Sequence, residues 1–78
     1  MNYGSIVQIS GPVVDVRFEP GRLPRIREAL TVTVDGAERV MEAAQHIGGD
    51  TVRCVLLAGS EGLSRGMKVS APGTTITV

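Results

Sequence analysis

Seventy-eight residues make a single domain, and a chain near this length buries only about 60% of the surface its unfolded form exposes, so its own stability is modest. Eight Lys and Arg balance eight Asp and Glu, which excludes a net field for gathering nucleic-acid phosphates or anionic lipid. Apolar residues reach 42%, rich in Val and Ile, with ten Gly, four Pro and two aromatics, Tyr3 and Phe18; this mixture favours short strands joined by tight turns over helices.

The chain opens with a short strand over Tyr3 to Ile9, broken at Gly11-Pro12, where Pro removes a ladder donor and Gly permits a bulge or bend. Val14, Val16 and Phe18 then alternate with Asp15 and Arg17, a second strand with one wet face. Glu19-Pro20-Gly21 is a turn, and residues 22–28 are too irregular and Pro-rich for a strand or a useful helix, so they read as a surface loop.

From Leu30 to Ala58 three apolar runs are separated by Asp35-Gly36 and Gly48-Gly49, a three-strand meander. Asp-Gly is a strong hairpin signal because a two-residue type I′ turn needs positive φ at both central positions. That turn sets Val34 opposite Ala37, Val32 opposite Arg39 and Leu30 opposite Met41. A second two-residue turn at Gly48-Gly49 sets Ile47 against Asp50, Ala43 against Cys54 and Met41 against Leu56. One face then collects Leu30, Val32, Val34, Met41, Ala43, Ile47, Val52, Cys54 and Leu56, and two separately placed turns agree on it. Gly59-Ser60-Glu61-Gly62 makes a further turn, Leu63 to Gly66 a connection, and Met67 to Ser70 a short strand. Pro72-Gly73 turns once more before Thr74 to Val78, a final strand or the start of a linker. Six or seven short strands in so small a chain favour closure into a barrel, which removes exposed edges. The expected fold is all-β, a small closed antiparallel barrel of six or seven strands spanning residues 1–78.

Catalytic chemistry is not visible. The sequence has no Gly-rich phosphate loop with Lys-Ser/Thr and no His/Cys cluster at metal spacing. No catalytic, cofactor-binding or metal residue is therefore assigned. His46, the only histidine, lacks partners for a metal or a proton relay and reads as a packed or rim residue. Cys54 falls on the core face as a small apolar group. With no second cysteine, no signal peptide and no spanning apolar run, a reducing intracellular compartment is expected. The Gly59 to Gly62 stretch has the spacing of a nucleic-acid clamp but carries Glu61 and follows a strand, so a plain turn is expected. Gln45 points to the core side, where its amide needs partners and is positioned to tie a loop backbone. On the outer face, Val40 opposite Leu57 and Glu42 opposite Val55 form an apolar patch. It is either scattered surface apolarity or a contact with a neighbouring subunit. Arg22, Arg25 and Arg27 make the preceding loop locally basic, flanked by Glu19 and Glu28.

Several fragments in order carry a resemblance: Gly11-Pro12-Val13-Val14-Asp15-Val16 with Phe18, Leu23-Pro24, Ala29-Leu30, Glu42 with Ala44-Gln45-His46, Thr51-Val52-Arg53, Gly62-Leu63 and Arg65-Gly66-Met67. Together they resemble the N-terminal domain of the beta subunit of F-type ATP synthases, from Gly4 to about Ala71. Alpha subunits and related rotary ATPases share the fold but are less similar, particularly at Ala44-Gln45-His46 and from Glu61 to Met67. The resemblance implies a six-stranded barrel that joins alternating alpha and beta barrels in a hexameric crown ring, a structural and assembly module without activity of its own. The parent would be a H+-transporting two-sector ATPase, making ATP from ADP and phosphate with an ion gradient. It implies Mg-ATP or Mg-ADP in a downstream domain and no cofactor in this one. Further implications are alpha subunits as partners, no nucleic acid, no direct membrane contact, and a peripheral place on the cytoplasmic face of a bacterial inner membrane or its mitochondrial or chloroplast equivalent. The isolated barrel is free to be a monomer. Residues 71–78 depart from the usual continuation and are expected to begin a linker or to be redesigned. Arg22, Arg25, Arg27, Val40, Val55 and Leu57 are the expected subunit-contact residues.

The competing class is a free-standing binding barrel of the oligonucleotide-binding or translation-factor type, which needs aromatic platforms and a basic groove; two aromatics and zero net charge speak against it.

Overall fold

The computed structural model describes residues 2–57, 59 and 62–73. Regular structure among them is strand throughout: β1 (Asn2–Ser10), β2 (Val13–Phe18), β3 (Ala29–Val34), β4 (Ala37–Gly48), β5 (Thr51–Leu56) and β6 (Lys68–Ala71). They close in the order β1-β2-β5-β4-β3-β6, every pair antiparallel. The chain is thus the closed six-stranded antiparallel barrel that the resemblance implies, the smaller of the two strand counts its pattern allows. The turn at Gly59 to Gly62 and the final Thr74 to Val78 segment fall wholly or partly outside the described residues.

Two local devices build the meander. Asp35 and Gly36 adopt φ of 50° and 80°, the type I′ signature, and the β3–β4 register runs from Val34–Ala37 to Leu30–Met41 as expected. The second turn is displaced by one residue. Gly49 and Asp50 carry φ of 61° and 59° and connect paired Gly48 and Thr51; the Thr51 hydroxyl donates to the Gly49 carbonyl at 3.1 Å. The expected turn at Gly48-Gly49 and the Ile47–Asp50 pairing are therefore corrected. Met41–Leu56 and Ala43–Cys54 do pair, but the register slips between Ala43 and Gln45 and again between His46 and Gly48. Each slip is a bulge that sets one extra residue against the partner strand, here Ala44 and Ile47.

The inward set follows from alternation. Leu30, Val32, Val34, Met41, Ala43, Val52, Cys54 and Leu56 are all buried, and Ile6, Val14, Val16, Phe18 and Val69 complete the packed interior. Ile47 is the exception, 38% exposed, because the two bulges carry it off the core face. At the other side of the barrel, β1 and β2 meet through a hairpin in which Ser10 pairs with Val13; the β1 bulge lies at Val7, between Ile6 and Gln8, not at Gly11-Pro12.

Residues 22–28 are less free than a surface loop. Pro24 is fully buried and Glu28 is 9% exposed. The Arg27 amide donates to Ala43 O at 2.7 Å and the Ala43 amide to Glu28 O at 3.0 Å. The segment thereby extends the β3 side of β4 past the end of the strand.

Candidate functional site

The outward residues of β4 and β5 meet as their pairing dictates. Glu42 lies opposite Val55, and the Leu57 amide donates to Val40 O at 3.1 Å. Leu57 is 59% exposed and Val55 38%, while Val40 and Glu42 are half-buried. Glu38 continues the row on β4, paired with Thr33 of β3. The result is an apolar centre between two carboxylates on the outside of the barrel.

The three loop arginines are not gathered there as a group. Arg27 is: with Ile26, Glu42, Ala43 and Ala44 it lines a shallow concavity beside the apolar centre. Arg22 lies instead toward β1, where its carbonyl accepts a hydrogen bond from Asn2 Nδ2 at 2.8 Å. The Arg25 amide is bound locally to the Glu28 carboxylate. The loop is held by its backbone and leaves all three guanidinium-bearing side chains exposed.

Sequence reasoning missed the ion pair in the next outward row, two residues along β5 from Val55. Asp15 was expected on a wet face, yet it is 6% exposed because Arg53 of β5 lies over it. Arg53 Nε donates to Asp15 Oδ1 at 3.0 Å and its Nη2 to Oδ2 at 3.3 Å. The arrangement is side-on and bidentate, the geometry in which a guanidinium is strongest. The hydrogen bonds, then the neighbouring charge, raise the Arg53 pKa further above its already high ordinary value. The two residues are paired across β2 and β5, and only this nonlocal register brings them together; a charge on each of two apolar strands was the available signal.

The bulge at Ala44 exchanges the expected roles of two neighbours. Gln45, expected inward, is exposed and paired with Arg53 on the outer face; His46 is paired with the inward Val52. It is the imidazole Nε2 that reaches the loop, 2.7 Å from the Pro24 carbonyl. An inward imidazole at the barrel rim has a carbonyl to satisfy it, whereas an inward amide needs two kinds of partner. His46 is thus a rim residue and a tie to the 22–28 segment. Cys54 is fully buried; desolvation first, and the Asp15 charge second, push its thiol up to about 12, which removes the thiolate that reactivity requires.

Phe18 belongs to the core, and Tyr3 carries the Lys68 ammonium 4.1 Å from its ring centroid. The two aromatics therefore do not make a stacking platform for bases. Among the described residues no three His, Cys, Asp or Glu side chains come together as a metal site. A family model described as the ATP synthase alpha/beta family, beta-barrel domain, matches residues 6–73. The chain belongs to that family. The match to the ATP synthase alpha/beta barrel begins at Ile6 in β1 and includes all of β2 to β6, so the outward residues of β4 and β5 and the Asp15–Arg53 pair are all within the family domain.

Proposed function

We propose that this barrel is the assembly module of an F-type ATP synthase beta subunit, alternating with alpha-subunit barrels in a crown ring. The observation that carries the reading is the apolar outward row, Val40 with Val55 and Leu57, on a barrel of the ATP synthase alpha/beta family. A family barrel with two exposed apolar side chains, Val55 and Leu57, beside the half-buried Val40 of the adjacent strand has a reason to be covered by a neighbour. The fragments Ala44-Gln45-His46 and Glu61 to Met67 favour beta over alpha. In this reading the parent makes ATP from ADP and phosphate with a proton or sodium gradient, binds Mg-nucleotide in a following domain, and lies peripherally at a bacterial inner membrane or the organellar equivalent. The barrel's role is mechanical: closed ladders give a stiff ring against which catalytic domains move.

Sedimentation velocity of the chain alone, and mixed with the matching N-terminal barrel of an alpha subunit, tests the reading. A larger species present only in the mixture is expected. Leu57→Asp should abolish that species while leaving the thermal unfolding of the chain unchanged; an unfolded variant would make this face core and remove the basis of the proposal.

A further inference from the structure

One outward row of the barrel crosses four adjacent strands: Gln8 of β1, Asp15 of β2, Arg53 of β5 and Gln45 of β4. Two bulges create it. Without the slip at Val7, Gln8 would share the inward parity of Ile6, and without the slip at Ala44, Gln45 would share that of Ala43. Between the two amides lies the ion pair, whose carboxylate is buried and whose guanidinium is exposed. In the adjoining outward row Ser10 pairs with Val13, and Val13 with Val55.

Asp15 orients Arg53 without consuming it. A guanidinium has five N–H groups, and the contact with Asp15 takes the side-on fork, Nε–H and one N–H of Nη2. The end-on fork, one N–H each from Nη1 and Nη2, has no partner among the described residues, and its shape matches the two oxygens of a second carboxylate. Arg53 lines a concavity of about 290 Å³ together with Gln8, Ser10, Val13 and Asp15. The Gln8 amide and the Ser10 hydroxyl are further donors for an oxyanion, while Val13, paired with Val55, gives one wall an apolar surface. A concavity of this volume is at the lower limit of ligand clefts, so its guest is small. Charge narrows the choice again. Asp15 and Arg53 sum to zero, so a single negative charge gains the fork at little net cost, whereas a dianion is repelled twice as strongly by the carboxylate beneath. The next charges on these strands, Arg17 on β2 and Glu42 opposite Val55, are of opposite sign.

We infer that this concavity binds a small monocarboxylate with a short apolar tail, its oxygens on the end-on fork of Arg53, assisted by Gln8 and Ser10, and its tail against Val13. The buried carboxylate fixes the guanidinium before the guest arrives, which lowers the ordering cost of binding. All the lining residues lie on β1, β2 and β5 of one chain. The inference therefore does not rest on the assembly reading.

The test follows the backbone amides and the Arg53 Nε–H of the isotope-labelled chain while sodium butyrate is added at constant ionic strength and about pH 8, where inorganic phosphate is mainly a dianion. Saturable shifts at Gln8, Ser10, Val13 and Arg53, with a Kd of roughly 1–10 mM, are expected. Butyramide, of the same shape without the charge, should leave these resonances in place, and inorganic phosphate should bind about tenfold more weakly. Shifts spread over Arg22, Arg25, Arg27 and Arg65, or none that saturate, would overturn the site. Equal shifts with butyramide, or phosphate binding as tightly as butyrate, would overturn the monocarboxylate as its guest. Ser10→Asp sets a second carboxylate at the wall and should weaken butyrate about tenfold; Ser10 is exposed, so the spectrum should remain that of a folded chain. Arg53→Lys keeps the charge but loses the fork, and should weaken butyrate by about the same factor. Undiminished binding by either folded variant sinks the inference.

Discussion

From Ala37 to Glu42, β4 pairs with β3 in one unbroken register, and from Met41 to Ala43 it pairs with β5 without a slip, with Met41 and Ala43 fully buried. From 44 to 48 every residue is exposed, the register slips twice, and the β3 side is occupied only by the 22–28 segment. The two halves belong to one strand and differ in what holds them. In the first, an inward side chain that changes parity loses its place in the core, so slippage is costly. In the second there is little core left to lose, and hydrogen bonds and turn preference decide the pairing. Register is therefore only as firm as the burial behind it.

Breaking that contrast starts with its most buried residue. Met41→Ala should cost roughly 2–5 kcal/mol, a large share of the stability of a small domain, read as a drop in the urea midpoint; a loss below ~1 kcal/mol would mean that the barrel interior collapses around the gap. Cys54 sharpens the same point through pH. Its pKa is raised from 9.0 to about 12 in the folded chain. Between those values the folded state holds a proton that the unfolded state has released. The stabilisation is thus complete below pH 9 and is lost as pH rises toward 12. A shift of this size corresponds to roughly 3–4 kcal/mol. Urea melts across this window should show the decline, and Cys54→Val should flatten it; parallel declines in the two proteins would assign the effect to other groups.

Smaller effects probe the second half of β4. His46→Ala removes the bond to Pro24 O and should cost about 1 kcal/mol, with faster hydrogen exchange at the amides of Arg27 and Ala43, which tie the 22–28 segment to β4. Unchanged exchange would mean that the two backbone bonds suffice. Ile47→Ala should lie within ~0.5 kcal/mol of the parent, although its sequence pattern marks it as core. A loss comparable to Met41→Ala would restore Ile47 to the interior and contradict the bulges.

Much of the architecture was legible because its determinants are local. Alternation of Val14, Val16 and Phe18, and of Leu30, Val32 and Val34, placed inward faces, and Asp35-Gly36 set a register that holds over six paired positions. Outward placement of Val40, Val55 and Leu57 followed from setting Met41 opposite Leu56, a pair that survives the displaced second turn because the two bulges offset it. The errors lie at Ile47, Gln45 and Asp15. A Gly48-Gly49-Asp50 run contains overlapping turn candidates of similar cost, and the choice among them is made elsewhere: Asp50 O accepts the Phe18 amide at 2.9 Å, a contact between the turn and β2. His46 finds Pro24 O only because the 22–28 segment folds against Ala43.

The sequence by itself determined that this chain is a small all-β barrel with its apolar residues on one side of each strand, since side-chain periodicity and turn chemistry act between near neighbours. Its ordered fragments also carried the family. What only the tertiary structure decided is where the bulges fall, that Asp15 is buried beneath Arg53, and which outward residues share a row. Those features depend on pairing between β2 and β5 and between β1 and β6, strands far apart in the chain, and no local preference specifies which outward residues such pairings bring together.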